Sequence, residues 1–130
     1  MKLLLDTHIF LWFISGDKRL PEGMRDDICN PDNEVYLSVV SLWEAIIKYQ
    51  LGKLPLPQSP NVYLPIQRQK HQIASLSLDE TSVSQLTNLA KIHSDPFDRM
   101  LICQAMEHGL TIVTVDDAIC NYSVSVLSRI

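Results

Sequence analysis

One stretch of the chain combines acids with a long apolar run, and it reads HSDPFDRMLICQA at residues 93–105. Proline is favoured at the first position of a helix, so Pro96 makes Asp95 the expected N-cap and places Asp98 at the third helical position. Both carboxylates then lie at the positive end of the helix dipole. The residues that follow are apolar on nearly every side, which is typical of a helix buried against a sheet. Taken alone, this pattern is an ordinary helix start, and its meaning depends on which other acids join it.

Length and composition indicate an ordinary globular protein. The chain has 130 residues, of which 46% are hydrophobic and 20% charged, so we expect residues 1–130 to form one soluble domain. Its 3 cysteines lie far apart, which argues against zinc and disulfide frameworks and favours reduced thiols in a cytoplasmic protein. The apolar run at the N-terminus is too short for a signal sequence or a membrane span. A net charge of −4 argues against a general polyanion-binding surface, although an acidic pocket that holds metal can still meet phosphate.

Apolar runs bounded by turn residues predict strands with helices between them. The predicted strands cover residues 2–5, 35–40, 73–78 and 110–115, with a possible last strand over 124–127. The predicted helices cover residues 9–14, 45–49, 61–70 and 80–92, and another begins at 96. The second helix follows SLWE at 41–44, which matches a capping box. This alternation predicts a parallel sheet covered by helices on both faces, because parallel neighbours need crossover connections.

Four acids can meet at one edge of that sheet. Open parallel sheets carry their sites at the carboxyl ends of the strands. Asp6, Glu44 and Asp116 come soon after strands, and Asp98 begins a helix, so all four can converge there. Each also has an ordinary explanation as a cap, a loop residue or a helix-start residue. Gathered together, however, four carboxylates oppose folding unless a cation offsets their charge.

The cation suited to carboxylate and water ligands is hard and divalent, so the pattern points to Mg²⁺ or Mn²⁺. Two such ions about 3.5–4 Å apart can activate water and stabilise the leaving oxygen of a phosphodiester. Hydrolysis of nucleic acid is one reaction that this chemistry serves. The four histidines share no spacing, so His93 is interpreted as a hydrogen-bond donor beside the helix, with a catalytic base as the alternative.

The chain resembles the PIN-domain ribonucleases, in particular the VapC-type toxins of bacterial and archaeal toxin–antitoxin pairs. The resemblance rests on LLLDTH at 3–8 with LW at 11–12, SVVSLWE at 38–44 with Lys48 and LGKL at 51–54, His93 with DPFDR at 95–99, and TVD at 114–116. These segments extend along essentially the whole chain. Two positions depart from the pattern: Ser94 stands where this subgroup often has a basic residue, and Ile119 and Cys120 stand where an aromatic is common.

The resemblance implies an α/β, PIN-like three-layer fold with a central, mainly parallel sheet flanked by helices, and Mg²⁺- or Mn²⁺-dependent endoribonuclease activity. By matching position, the catalytic and metal-binding acids are Asp6, Glu44, Asp98 and Asp116. The supporting residues are Asp95 as a neighbouring acid, Thr7, Ser38 and Thr114 as hydroxyls that orient a ligand or water, and Arg99 as a contact to phosphate or to the acids. The resemblance also implies a homodimer that acts on RNA in the cytoplasm, away from membranes, and is inhibited by a small VapB-like antitoxin.

Two alternatives belong to other functional classes. A catalytically inactive PIN-like module for binding or dimerisation has the same pattern, because the sequence alone does not show metal held productively. A phosphoryl-receiving response-regulator domain also gathers acids at this edge of a sheet. It needs a lysine late in the chain, however, and no lysine follows Lys91. The nuclease is therefore the preferred interpretation and the inactive module its main alternative.

Overall fold

A parallel sheet forms the centre of the protein. The structure is a computed structural model that describes residues 1–122 and 126–127. The sheet has the order β3-β2-β1-β4-β5, and all neighbouring strands are parallel. The strands are β1 (Lys2–Leu5), β2 (Glu34–Ser38), β3 (Ala74–Leu76), β4 (Thr111–Val113) and β5 (Val126–Leu127). Residues 124 and 125 of the predicted last strand lie outside the described residues.

Helices connect the strands and cover the sheet. They are α1 (Thr7–Ser15), α2 (Glu22–Cys29), α3 (Val39–Gln50), α4 (Pro60–Lys70), α5 (Glu80–Ser84), α6 (Pro96–His108) and α7 (Asp117–Cys120). A 3-10 turn over Gln85–Asn88 follows α5. None of the helices in the described ranges has the length and apolar character needed to cross a membrane.

Two apolar clusters cover the two faces of the sheet, because successive side chains of a strand point in opposite directions. Leu3 and Leu5 of β1 belong to one cluster, which includes buried residues of α1, α2 and α4. Leu4 belongs to the other, in which Leu101 and Ile102 of α6 are fully buried. The sheet therefore has helices on both faces, and the prediction of a three-layer α/β fold with a parallel sheet is confirmed.

The start of α3 differs from the predicted capping box. Ser38, not Ser41, is the N-cap, and its hydroxyl accepts a hydrogen bond from the backbone N–H of Val40 at 3.0 Å. The predicted strand over 35–40 is therefore too long, and Ser41 lies inside the helix. The error is physical: β-branched Val39 and Val40 favour a strand by propensity, but the serine before them can cap a helix that begins at once.

The predicted helix over 80–92 is also too long. Helix α5 ends at Ser84, and Leu89 has an extended backbone with φ −84° and ψ 126°. The segment contains hydroxyl side chains that bond to nearby carbonyls, such as Ser84 to Glu80 and Thr87 to Ser84. Such bonds offer the backbone an alternative to the helix. The consequence is an irregular segment before α6, and this segment carries His93.

Candidate metal centre

The four predicted acids line one cleft at the carboxyl ends of β1 and β4. The cleft has a volume of about 380 Å³. Its lining residues are Asp6, His8, Trp12, Arg19, Glu44, Lys48, His93, Asp95, Asp98, Val115 and Asp116. Asp6 follows β1 directly, Asp116 caps α7 shortly after β4, and Asp98 lies in the first turn of α6. Glu44 reaches the cleft from the second turn of α3, so four separate elements supply the carboxylates.

Asp6 is nearly buried, with 4% of its surface exposed. The hydroxyl of Thr114 donates a hydrogen bond of 2.8 Å to Asp6 Oδ2 and accepts one from the backbone N–H of Asp116. Burial raises the pKa of Asp6, and the nearby carboxylates of Glu44 and Asp116 add to that rise. The Thr114 hydrogen bond acts in the opposite direction. Thr114 thus fixes one acid and the backbone of another, which accounts for a hydroxyl at this position.

Glu44 is buried, and both of its carboxylate oxygens accept hydrogen bonds. Thr7 Oγ1 lies 2.8 Å from Glu44 Oε1 and 2.8 Å from Ser41 Oγ. Because a hydroxyl has one proton, Thr7 donates to the carboxylate and accepts from Ser41. Lys48, one helical turn later, donates to Glu44 Oε2 at 2.6 Å. We call Asp6, Thr7, Glu44, Lys48 and Thr114 the inner group.

Lys48 remains charged in this position. Burial opposes its charge, but the hydrogen bond and negative charge of Glu44, together with Asp95 and Asp98, outweigh burial and raise the pKa of Lys48. Its side chain is 37% exposed, so Lys48 lies at the rim of the cleft.

The surroundings of Asp98 disfavour the charged form of its carboxyl group. Burial, followed by the charges of Asp6, Asp95 and Glu44, raises the pKa of Asp98 from 3.8 to about 7, although a hydrogen bond from His93 favours the carboxylate. His93 Nε2 lies 2.9 Å from Asp98 Oδ2 and 3.5 Å from Asp116 Oδ2. We call His93, Asp95, Asp98 and Asp116 the outer group.

The remaining acids of the outer group also hold the backbone. Asp95 Oδ1 accepts hydrogen bonds from the backbone N–H groups of Phe97 at 2.8 Å and Asp98 at 3.2 Å, as expected for the N-cap of α6. Asp116 Oδ1 accepts from the backbone N–H of Ala118 at 2.8 Å and leaves Oδ2 turned toward His93. One oxygen of Asp116 therefore caps α7, and the other can bind a ligand in the cleft.

The structure does not bring two of the predicted supporting residues to the acids. Ser38 caps α3 and donates a hydrogen bond of 2.5 Å to Gln104 Oε1, so its hydroxyl is used between α3 and α6. Arg99 turns toward the segment before α6, where its Nη1 lies 3.1 Å from the carbonyl oxygen of Ala90 and 3.4 Å from that of His93. In residues 1–122 and 126–127, Arg99 forms no ion pair with the acids of the cleft. Its described contacts hold a loop.

His93 lies among the carboxylates, a position that the sequence pattern does not predict. The interpretation of His93 as a hydrogen-bond donor beside the helix agrees with its 2.9 Å contact to Asp98, but its position between Asp98 and Asp116 does not follow from the sequence pattern. A sequence signal for this is the content of serine, threonine and asparagine in SVSQLTN at 82–88, since such residues favour an early end to α5 and an irregular segment before α6.

The donor set fits a divalent cation. In the described residues, the ion pairs to the four carboxylates come from Lys48 and His93 alone, so negative groups outnumber positive ones. The raised pKa values of Asp6 and Asp98 have the same origin, since burial and like charges both disfavour the carboxylate forms. Asp6, Glu44, Asp98 and Asp116 could hold Mg²⁺ or Mn²⁺ through oxygen ligands. A bound cation would offset the excess negative charge.

Comparison with known proteins relates this architecture to one family. The PIN domain family model matches residues 3–124 of the chain. Over 47 residues the chain is 40% identical to Ribonuclease VapC16 of Mycobacterium tuberculosis. That match covers 36% of this chain and 33% of the relative, so the chain spans about a third of the length of the curated protein it matches.

Solved structures share the fold at lower identity. VapBC2 from Rickettsia felis, bound to a promoter DNA fragment, matches with 14% identity and a TM-score of 0.73, covering 98% of each chain. DNA-bound VapBC from Salmonella typhimurium matches with 20% identity and a TM-score of 0.69, also covering 98% of each chain. The family model extends over nearly the whole sequence and the solved structures have the same fold, so the chain belongs to the PIN domain family.

Proposed function

We propose that this chain is a metal-dependent endoribonuclease and the toxin of a type II toxin–antitoxin pair. The main observation that supports nuclease activity is the convergence of four acids in one cleft, where they outnumber their cationic partners. These acids are Asp6, Glu44, Asp98 and Asp116. Such a cluster is costly to fold unless a cation uses it. Ribonuclease VapC16 of Mycobacterium tuberculosis, which the chain matches over 36% of its length, supports RNA as the substrate.

In the proposed reaction, some residues of the cleft bind the metal and others position those ligands. The four carboxylates would hold Mg²⁺ or Mn²⁺, and a bound ion would activate a water and offset charge on the leaving oxygen. Thr7 and Thr114 fix the orientation of Glu44 and Asp6 through hydrogen bonds of 2.8 Å each. Asp95 sets the start of α6 and thereby the position of Asp98. Preorganised ligands of this kind lower the cost of assembling the reactive geometry.

The rim of the cleft suits a single-stranded nucleic acid. Arg19 lies over the ring of Trp12, with its Cζ atom 5.0 Å from the ring centroid, and the partly exposed side chain of Lys48 lines the same cleft. Aromatic faces and cations are the usual contacts for bases and backbone phosphates of single strands. These residues are therefore our candidates for holding RNA beside the acids.

The VapBC structures with the same fold support a partner as well as a substrate. We propose that a small VapB-like antitoxin inhibits this chain and that the chain forms a homodimer in the cytoplasm, where its RNA targets are found. The exposed face of α3 offers apolar surface for such contacts: Trp43 is 55% exposed and packs edge-on against Phe97 at 4.9 Å between ring centroids.

The direct test is cleavage of total RNA by the purified chain, with Mg²⁺ or Mn²⁺ and with EDTA. We expect cleavage that requires metal and falls by more than about a hundred-fold in Asp98→Asn, since even changes to the partners of metal ligands cost 10–100-fold. The matched control is Asp26→Asn, which changes an exposed aspartate on α2. Circular dichroism would verify that both variants fold. Equal cleavage by wild type and Asp98→Asn would contradict the assignment.

The alternative is an inactive PIN-like module that binds or dimerises without catalysis. It is distinguished by titration with Mn²⁺ at neutral pH. Binding that Asp98→Asn weakens supports the metal centre, whereas the absence of binding to the wild-type chain favours the inactive module.

A further inference from the structure

His93 lies where its imidazole could act as a third metal ligand beside the carboxylates of Asp98 and Asp116. Its Nε2 atom lies 2.9 Å from Asp98 Oδ2 and 3.5 Å from Asp116 Oδ2. One ligand atom from each of the three residues can be chosen so that all lie within 4.8 Å of one another. The imidazole is 19% exposed and Asp98 12%, so these two donors lie at the partly shielded base of this side of the cleft.

These separations match the spacing of ligands around one ion. With metal–ligand distances of about 2.1 Å in an octahedral site, neighbouring ligand atoms lie about 3 Å apart and opposite ones about 4.2 Å apart. The two distances from His93 Nε2 are close to the separation of neighbouring ligands. An ion that replaced the Nε2 proton between these groups could therefore contact all three residues.

The backbone of His93 is held in place by two other residues. The hydroxyl of Tyr122 accepts hydrogen bonds from the backbone N–H of His93 at 2.7 Å and of Ile92 at 3.1 Å. Arg99 donates to the His93 carbonyl oxygen at 3.4 Å and lies 3.4 Å from the Tyr122 hydroxyl. Both backbone groups of His93 are therefore bonded. This is the kind of support that keeps a metal ligand in position.

A purely structural role for His93 makes a different prediction. If the imidazole only donated a hydrogen bond that orients Asp98, any side chain with a suitable N–H would replace it, and the bound ion would have oxygen ligands alone. If the imidazole binds the ion, its nitrogen changes the metal preference, because imidazole suits first-row transition ions better than it suits Mg²⁺.

We propose that His93 Nε2 is a ligand of the divalent ion held by Asp98 and Asp116, and that it makes the centre select Mn²⁺ over Mg²⁺. This inference rests on the proposed metal centre and adds a nitrogen ligand to its oxygen set. It assigns to Tyr122 and Arg99 the role of positioning residues, which act on the ion only through His93.

The test is pulsed electron paramagnetic resonance of the full chain loaded with Mn²⁺, in which a coordinated imidazole gives a ¹⁴N modulation. We expect the modulation in the wild-type chain and its loss in His93→Gln, which retains an N–H donor for Asp98 but has no imidazole. His93→Ala provides a second variant without that donor. We expect both to weaken Mn²⁺ binding by about ten-fold or more, and Mg²⁺ binding by less.

Two other histidines serve as matched controls. His8 also lines the cleft, and His108 pairs with Asp79 at 2.8 Å outside it, so His8→Ala and His108→Ala should keep the ¹⁴N modulation. Modulation that survives in His93→Gln and His93→Ala would overturn the proposal. Bound Mn²⁺ with no modulation in the wild-type chain would overturn it while leaving the proposed metal centre intact. A wild-type chain that binds no Mn²⁺ would remove the metal centre and this inference together.

Discussion

The inner and outer groups present carboxylates to the same cleft but hold them differently. Glu44 and Asp6 of the inner group are 2% and 4% exposed, and their carboxylates have side-chain donors: Thr7 and Lys48 for one, Thr114 for the other. In the outer group, the Asp116 side chain is 36% exposed and Asp95 is held by backbone N–H groups. The two inner carboxylates are therefore held in place by side chains, while Asp116 gives incoming ligands a more exposed carboxylate.

Because of this difference, substitutions in the two groups should affect protein stability and metal binding to different degrees. A change in the inner group removes a partner from a buried carboxylate and should destabilise the fold directly. A change in the outer group should act more on the ion, because Asp116 is partly exposed and His93 is the side-chain partner of both Asp98 and Asp116.

The largest effect on folding is expected from Lys48→Met. This substitution removes the cation that bonds Glu44 at 2.6 Å and leaves that buried carboxylate without its ion pair. Removing one partner of a buried pair costs 3–5 kcal/mol, and the partial exposure of Lys48 reduces the expected loss to about 2 kcal/mol in EDTA. Urea unfolding measures the change. Added Mn²⁺ should recover part of the loss, because the ion would offset the same charge.

The control for that experiment is Lys18→Met, which removes an exposed lysine from the turn after α1. We expect its free energy of unfolding to change by less than about 0.5 kcal/mol. An equal loss in both variants would show that the stabilising effect of Lys48 is general and not due to Glu44.

A smaller effect on folding is expected from Tyr122→Phe. The hydroxyl accepts from the backbone N–H groups of Ile92 and His93, so its removal should cost about 1 kcal/mol of stability. Mn²⁺ binding should weaken several-fold as well, because the His93 backbone loses support. Tyr49→Phe is the control, since the Tyr49 hydroxyl has no hydrogen bond within the described ranges. Unchanged Mn²⁺ affinity in Tyr122→Phe would contradict the positioning role.

Local features of the site were predictable from sequence, and features that depend on distant contacts were not. Asp95, Pro96 and Asp98 define the start of α6 through neighbouring residues alone, and the structure agrees with that prediction. The hydrogen bond between Thr114 and Asp6 joins residues 108 positions apart, so no local pattern could specify it. The strand order places these residues together, because β1 and β4 are neighbours in the sheet.

The errors have local physical causes. Two serines, Ser38 and Ser41, precede the body of α3, and either could cap it by residue type. The structure uses Ser38 as the cap, and Ser41 instead contacts Thr7 inside the site. The four histidines share no spacing, so the sequence indicates His93 only as a hydrogen-bond donor beside the helix, and the helix predicted over 80–92 ends just before it. Because α5 ends at Ser84, the segment before α6 is irregular and brings His93 to the carboxylates.

The pKa of Asp98 connects the cleft to stability through pH. Its folded value of about 7 is above the ordinary value of 3.8, so the folded protein favours the protonated acid. That contribution is complete below pH 4 and is lost as the pH rises through about 7. In EDTA at pH 7.5, wild type should therefore be less stable than Asp98→Asn, and the difference should shrink toward pH 4.

The most direct measurement is thermal unfolding of wild type and Asp98→Asn at pH 7.5, in EDTA and in Mn²⁺. We predict that the order of stability reverses: Asp98→Asn is the more stable protein in EDTA, and wild type is the more stable in Mn²⁺. An ion at about a hundred times its Kd adds about 2.7 kcal/mol to the protein that binds it. The same order in both buffers, or equal melting temperatures with and without Mn²⁺ in wild type, would contradict the claim that these carboxylates form a metal centre.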